Sequence, residues 1–146
     1  MSELPIGTRL NAWSIARKAH DGQFRVGGEP HIGHVERVAE ACREYGEELE
    51  IVAFLHDVLE DSSITWMDLI KRGIPAELVA HVETLSRREG ESYEDFIDRC
   101  NQHPLTRLVK IMDISDNLKD ARTHKPHHVA RYQAALNKLR EDRKYD

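Results

Sequence analysis

A hydrophobic stretch that ends in charge limits what this chain can fold into. Residues 51–55 are all apolar, and the next six residues include four ionisable side chains, His56, Asp57, Glu60 and Asp61. In a helix, Glu60 lies one turn after His56, and Asp61 lies one turn after Asp57. The charged groups then gather at the end of a buried segment, where negative charge without a partner is expensive. The stretch therefore indicates a bound cation, with ion pairs to Arg or Lys as the alternative.

Apolar residues recur at helical spacing along the rest of the chain, and no stretch alternates apolar and polar residues as a half-buried strand does. Glycines, prolines and capping residues separate the helical segments. The predicted helices are Thr8–His20, one through Val35 to Cys42, Glu47–Glu60, short ones from Thr65 and Ser92, and others from Pro75, Pro104 and Pro126. We expect one all-α domain over residues 1–146, a bundle of about seven to eight helices.

Charge and composition exclude several classes of protein. The net charge of −5 does not favour nucleic acid as a partner, because a general nucleic-acid surface needs clustered positive charge. Two isolated cysteines, Cys42 and Cys100, are too few for a disulfide framework. The chain shows no signal peptide and no apolar run of the roughly 20 residues that span a bilayer. We expect a cytoplasmic protein that binds neither nucleic acid nor membrane.

Three other places could complete the charged site. His34 follows a glycine-rich loop at the start of a predicted helix, although a lone histidine there is often without function. Asp113 falls inside an apolar run, with Asn117 one turn later on the same face, and a buried aspartate calls for a partner. Arg25 lies in the loop before His34. These positions are candidates for the partners that the first stretch requires.

Taken together, these residues resemble the HD-domain phosphohydrolase superfamily, and more narrowly the RelA/SpoT-type hydrolases that remove the 3′-pyrophosphate of (p)ppGpp. The resemblance runs in order from about residue 12 to residue 122. It is carried by these residues: Ala19-His20-Asp21-Gly22-Gln23, Arg25, Gly28-Glu29-Pro30, His34 with Val38-Ala39, His56-Asp57 with Glu60-Asp61, and Asp113 with Asn117. It implies an HD-type helical fold and hydrolysis of a phosphorylated nucleotide.

The same resemblance implies roles for individual residues. Four of them match the family's metal ligands: His34, His56, Asp57 and Asp113. Two imidazoles and two carboxylates with open positions suit six-coordinate Mn²⁺, while Fe²⁺ or another divalent transition metal also fits. Glu60 and Asp61 match the catalytic pair that generates and orients the attacking water. Arg25 matches a phosphate-binding arginine, and Asn117 and Lys119 match substrate contacts.

Several departures from the family leave the substrate open. Val26 stands where the family usually has Lys or Arg, His31 replaces a usual Tyr, and Asp116 stands where His or Tyr is common. The chain is also short, so a second copy in a homo-oligomer is one way to complete the nucleotide pocket. The alternatives are a phosphatase for NADPH, a nucleoside monophosphate or another phosphoester, and a nucleotide-sensing module that does not turn over.

Overall fold

The residues from 4 to 141 are described by a computed structural model, and within that range the chain is helical. Nine α-helices follow one another: α1 Thr8–Ala19, α2 His31–Cys42, α3 Glu47–Leu55, α4 Val58–Asp61, α5 Trp66–Lys71, α6 Ala76–Thr84, α7 Tyr93–Cys100, α8 Pro104–His124 and α9 Val129–Glu141. Short 3₁₀ turns occupy Arg43–Tyr45 and Pro126–His128. The described residues contain no strand beyond an isolated bridge between Phe24 and Pro30. The predicted all-α class is confirmed.

Local sequence signals set several of the helix starts. Thr65 and Asp68 form a reciprocal capping box at the start of α5, as their spacing predicts. The Ser92 side chain accepts a hydrogen bond from the Asp95 amide and so caps α7. Pro104 occupies the first turn of α8, where the missing N–H costs nothing. These caps fix where the chain turns between the helices that carry the site.

Helix α3 lies at the centre of the fold. Every residue from Ile51 to Leu55 is buried, and the helix packs against α1, α2, α6 and α8. A helix that is apolar on all sides is stable only when other elements enclose it. Burial of each large aliphatic side chain contributes about 1.5–3 kcal/mol relative to exposure. The charged residues that follow α3 are therefore delivered to the inside of the molecule.

The prediction of one continuous helix from Glu47 to Glu60 is wrong. Helix α3 ends at Leu55, His56 and Asp57 form a turn, and α4 begins at Val58. A regular helix would pair the Asp57 amide with the Ala53 carbonyl. That carbonyl instead accepts the His56 backbone amide at 3.3 Å and His56 Nδ1 at 2.6 Å. When α3 and α4 are counted as one interrupted helix, the described residues hold eight helices, within the predicted number.

The loop between α1 and α2 is folded into a small hairpin. The Arg25 amide donates to the Glu29 carbonyl at 2.8 Å, and the His31 amide donates to the Gln23 carbonyl at 2.9 Å. Gly28 has a φ of +95°, which side-chain-bearing residues rarely adopt. The hairpin holds Arg25 against the side of α8. Within residues 4–141, no helix has both the length and the apolar character that crossing a membrane requires.

Candidate metal centre and its pocket

The four residues predicted as metal ligands meet at one point. His34 comes from α2, His56 and Asp57 from the turn after α3, and Asp113 from the middle of α8. His34 Nε2 lies 3.0 Å from Asp113 Oδ1 and 3.9 Å from Asp57 Oδ2. His56 Nε2 lies 3.1 Å from Asp57 Oδ2 and 3.4 Å from Asp113 Oδ1. Neighbouring donors around a six-coordinate ion with bonds of about 2.1 Å lie roughly 3 Å apart, so these spacings fit a divalent metal.

The proton positions on His56 support the same conclusion. His56 Nδ1 donates to the Ala53 carbonyl at 2.6 Å, so the neutral ring carries its proton there. The lone pair of Nε2 then faces the carboxylate oxygens of Asp57 and Asp113. Nε2 is fully buried and has no hydrogen-bond partner. A buried nitrogen lone pair that faces two carboxylates requires a positive charge between them.

His34 is oriented by a residue that the sequence analysis did not place in the site. His34 Nδ1 donates to Asp116 Oδ2 at 2.7 Å, which leaves its Nε2 for the ligand cluster. A carboxylate that holds the outer nitrogen of a metal-binding histidine is a recurring arrangement, because it fixes both the tautomer and the ring orientation. Asp116 is therefore not one of the four donors, but it orients one of them, His34.

Asp113 has two differently used oxygens. Oδ2 accepts from the buried ammonium of Lys110 at 2.8 Å. Oδ1 faces His34 and His56 and accepts from Asn117 Nδ2 at 3.1 Å. The ammonium offsets part of the buried negative charge, and one oxygen remains directed at the cluster. Lys110 precedes Asp113 by three residues, so its place inside an apolar run was the available sequence signal.

The pKa shifts of the four donors show that positive charge is favoured within the cluster. Burial opposes charge on His34 and His56, yet the neighbouring carboxylates outweigh it and raise the pKa of both imidazoles, well above the usual value for His56. Burial likewise opposes charge on Asp57 and Asp113, but nearby cationic groups, His56 for Asp57 and Lys110 first for Asp113, lower the pKa of both carboxyls. A proton or a metal ion can supply that positive charge.

Arg25 lies in an ion-pair network beside the cluster. Its guanidinium donates to Asp116 at 3.2 Å and to Asn117 Oδ1 at 2.9 Å, and lies 3.3 Å from Asp120. Arg37 binds the other side of Asp116, with Nε 2.8 Å from Oδ1. Asp116 thus connects His34 to two arginines. Arg25 is at the site but is held by carboxylates of the chain itself.

The predicted catalytic pair occupies the rim. Glu60 accepts a hydrogen bond from the Arg87 backbone amide and lines the pocket. Asp61 lies farther out, with Oδ2 3.7 Å from His31 Nε2. Burial, together with the charge of Asp57, raises the pKa of Asp61 to about 6. A carboxyl group with such a pKa is suited to accept a proton near neutral pH.

A pocket of about 200 Å³ opens beside the four donors. Sequence reasoning missed several residues of its wall, which come from α7, α9 and the segment before α7: Arg87, Tyr93, Phe96, Arg131 and Tyr132. The Arg131 guanidinium lies 4.5 Å from the Tyr93 ring centroid. Asn117 belongs to the lining, whereas Arg25, Asp61 and the exposed Lys119 do not. No sequence signal marks Arg87 or Arg131, because only tertiary packing brings them here.

Sequence comparison finds several named proteins that are similar to this chain. No protein-family model matches the chain. The bifunctional (p)ppGpp synthase/hydrolase SpoT of Escherichia coli K12 is 32% identical over 128 residues, which is 79% of this chain and 18% of that protein. A guanosine-3′,5′-bis(diphosphate) 3′-pyrophosphohydrolase of Aquifex aeolicus is 33% identical over 117 residues, 74% of this chain and 17% of the relative. The chain thus spans less than a fifth of these relatives.

A solved structure shares the fold. It is described as a metazoan ortholog of SpoT that hydrolyzes ppGpp and plays a role in starvation responses. The TM-score is 0.77 with 20% sequence identity, and the match covers 94% of this chain and 86% of that one. The overall arrangement of helices is therefore the same as in this solved structure.

Proposed function

We propose a function from one premise: this chain is a homologue of the RelA/SpoT-type (p)ppGpp hydrolases, which carry an HD domain. The proposed activity is metal-dependent hydrolysis of a phosphorylated nucleotide, with removal of the 3′-pyrophosphate of (p)ppGpp as the first candidate. The observation that carries it is the convergence of four donor atoms, two of them imidazole lone pairs, on one buried point. In the neutral ring, His56 Nε2 has no hydrogen-bond partner among the described residues, so its lone pair is open to a metal ion.

In this proposal, His34, His56, Asp57 and Asp113 hold the metal, which we take to be Mn²⁺, with Fe²⁺ or another divalent transition metal as the alternative. A divalent ion held there would supply Lewis acidity towards phosphate and water. The mixed set of two nitrogens and two oxygens, with one side open to the pocket, supports this choice over a closed tetrahedral zinc site. One potential ligand atom from each of His34, His56 and Asp57 lies within 4.8 Å of the other two.

The chain's own residues position and deprotonate the nucleophile in this mechanism. Glu60 lines the pocket next to the donors. Asp61, at the rim, has a pKa of about 6, which suits it to accept a proton from water near neutral pH. Glu60 is held in place by the Arg87 amide. Asn117 bonds Asp113 and faces the pocket, where it can contact the substrate. Holding the reacting groups in the productive orientation accelerates a reaction by several orders of magnitude.

The charge of the pocket wall supports a phosphorylated substrate. Arg87 and Arg131 both line the pocket, and both guanidinium groups lie against the ring of Tyr93. Arginine binds phosphate oxygens with two parallel hydrogen bonds and offsets charge that develops at phosphorus. Tyr93 and Tyr132 add aromatic rings to the same wall. A substrate whose phosphates lie between the metal ligands and these arginines fits this distribution.

One observation favours a second candidate, a phosphatase for a less anionic substrate such as NADPH or a nucleoside monophosphate. The guanidinium of Arg25 is enclosed by Asp116, Asp120 and Asn117, so part of its charge is already balanced within the protein. Val26, next to it, is exposed and neutral. A highly anionic substrate therefore meets less positive charge here than the family pattern provides.

We further propose that residues 1–146 act as one domain in the cytoplasm, with no nucleic-acid or membrane partner. The buried, unpaired thiols of Cys42 and Cys100 support a reducing compartment. Residues 1–3 and 142–146 of that predicted domain lie outside the described residues. A homo-oligomer remains part of the proposal, as a source of further pocket residues.

The deciding experiment is an Mn²⁺-supplemented screen of (p)ppGpp, NADPH and nucleoside monophosphates in which the products are identified. Pyrophosphate plus a nucleotide is the expected result. Orthophosphate as the sole phosphorus product would move the assignment to the monoesterase. Asp113→Asn should abolish turnover, while the surface variant Asp98→Asn on α7 should not. Nucleotide binding without any product from the whole panel would support the sensor and overturn the enzyme.

A further inference from the structure

A second group of metal-binding side chains lies directly beside the first. One potential ligand atom from each of His20, His31 and Asp61 lies within 4.8 Å of the other two. His20 follows the end of α1, His31 is the first residue of α2, and Asp61 is the last residue of α4. Three separate helix ends therefore meet at this point. Neither His20 nor His31 has a part in the function proposed above.

The tautomer of His20 is fixed by Gln23. The Gln23 amide nitrogen donates to the Asp61 carbonyl at 2.7 Å and to the Ala19 carbonyl at 3.2 Å. Its amide oxygen is thereby turned toward His20 Nδ1, 2.8 Å away, and accepts a hydrogen bond from the N–H at that position. The remaining nitrogen, Nε2, carries a lone pair.

Within residues 4–141, that lone pair has no hydrogen-bond partner. His20 is only 2% exposed, and its Nε2 is fully buried without a hydrogen-bond partner. Its ring contacts the ring of His31 edge-on, with 4.7 Å between the centroids. Buried polar atoms are nearly always paired, so an orphaned imidazole nitrogen beside another imidazole requires an explanation. A hydrogen bond from His31 to Asp57 alone would leave this nitrogen unpaired.

Asp57 connects the two groups. The same oxygen, Oδ2, lies 3.1 Å from His56 Nε2 in the first group and 3.0 Å from His31 Nε2 in the second. Asp61 Oδ2 lies 3.7 Å from His31 Nε2 on the outer side. Two carboxylates thus flank His31, and the second group opens to solvent through Asp61, whose side chain is 40% exposed. An ion can reach it without unfolding the site.

We propose that His20, His31 and Asp61 bind a second divalent cation, and that the Asp57 carboxylate is shared between this ion and the first. Two imidazoles with carboxylates suit Mn²⁺, Fe²⁺ or Zn²⁺. Paired ions recur in enzymes that cleave phosphate esters, where the second ion stabilises the charge of the attacking or leaving oxygen. The proposal rests on the function proposed above at two residues, Asp57 and Asp61, since an Asp61 carboxylate bound to the second ion leaves Glu60 as the proton acceptor. His20 and His31 are independent of the first site.

Metal stoichiometry tests the second site without reference to activity. Metal-free protein is dialysed to equilibrium against Mn²⁺, and bound metal is counted by mass spectrometry. The wild type should bind two equivalents. His31→Phe keeps an aromatic side chain but has no nitrogen ligand, and it should bind one. Asp61→Asn should weaken the second equivalent alone. His81→Phe is the matched control, because His81 packs on His103 at 4.5 Å between centroids in a histidine pair elsewhere in the fold. It should retain two.

The outcomes separate the two sites. One equivalent in the wild type overturns the second site and leaves the first standing, whereas none overturns both. Two equivalents that persist in His31→Phe overturn the ligand assignment, and their loss in a His127→Ala/His128→Ala double variant would place the second ion at that exposed pair instead. The shared carboxylate predicts an exchange-coupled Mn²⁺ pair by electron paramagnetic resonance. Two uncoupled ions would overturn the sharing of Asp57.

The variants remain informative because folding can be checked independently. His31 is partly exposed, so the larger phenyl ring of the Phe variant has room at this position. The thermal transition and circular dichroism of metal-free His31→Phe should match those of the metal-free wild type. If that variant does not fold, Asp61→Asn, at the exposed side of the cluster, carries the same test, and a full second equivalent in it overturns the proposal.

Discussion

Replacing Asp116 by asparagine tests whether the metal centre depends on a residue outside the four proposed ligands. Asp116 accepts from His34 Nδ1 at 2.7 Å through one oxygen and from Arg37 through both. Asparagine has the same shape but only one acceptor. If its oxygen faces His34, its NH₂ group faces the guanidinium of Arg37, donor against donor. If its NH₂ group faces His34, the imidazole must move its proton to Nε2, which removes the lone pair that would bind the metal.

Either arrangement costs metal affinity. Loss of an outer carboxylate partner of a ligating histidine typically costs 10–100-fold in affinity, or about 1.4–2.7 kcal/mol. We expect the upper end of that range, because the substitution also removes a negative charge next to the ion. The pKa of Asp116 lies well below its usual range, since its hydrogen bonds from His34 and Arg37 outweigh burial, so the wild-type group is ionised wherever the assay can be run.

The assay is competition for Mn²⁺ with a fluorescent chelator at fixed pH and ionic strength, in both the wild-type and the His31→Phe background. Asp120→Asn is the control: it lies one turn further along α8, contacts Arg25 and His124, and does not contact His34. That variant should stay within about threefold of the wild type, because its pairs are partly exposed. A well-folded Asp116→Asn protein within the same threefold limit would refute the orienting role of Asp116.

Three further predictions follow from the same contacts. Lys110→Met leaves Asp113 buried without its ammonium partner, so the free energy of unfolding of the metal-free protein in urea should fall by about 3–5 kcal/mol. Mn²⁺ should then raise the melting temperature more in this variant than in the wild type, and equal shifts would contradict this. Glu60→Gln should keep its metal content but lose about 10²–10⁴-fold in kcat, and an unchanged kcat would exclude Glu60 as the base. Because the folded state raises the pKa of His34 and of His56, protonation of these residues stabilises the metal-free fold. This stabilisation is complete at pH values below the unfolded-state pKa of about 6.5, and it is lost as the pH rises through the folded-state pKa values. The melting temperature of metal-free protein should therefore fall from pH 7 to pH 9, whereas Mn²⁺ affinity should rise because ions displace protons; a metal-free melting temperature that rises over this window would count against the charge assignment.

The sequence was sufficient where local physics decides the structure. The capping box at Thr65 and Asp68 and the proline at the start of α8 follow from backbone rules that operate within a single turn. Burial of residues 51–55 follows from their composition. The four donors were placed by a resemblance to known hydrolases, and the structure brings all four together.

Features that depend on several helices at once were not predictable in this way. The break at His56 arises because its side chain competes for the Ala53 carbonyl, which periodicity does not encode. Asp116 was treated as a substrate-facing departure, but its contacts with His34 and Arg37 come from α2. Arg131 reaches the pocket only because α9 folds back along α8. Each of these is a long-range contact, for which one sequence carries no local signal.

Lys110 also bears on how the protein acquires its metal. Because a permanent counterion is built into α8 at 2.8 Å from Asp113, the polypeptide does not need an ion to complete its interior. The metal would then bind through the open pocket after the protein has folded, whereas a zinc finger folds only when it binds its metal. The ion it carries would then reflect the exchangeable pool that the mature protein meets, and a chelated sample should be reloaded by simple addition of metal, without a refolding step.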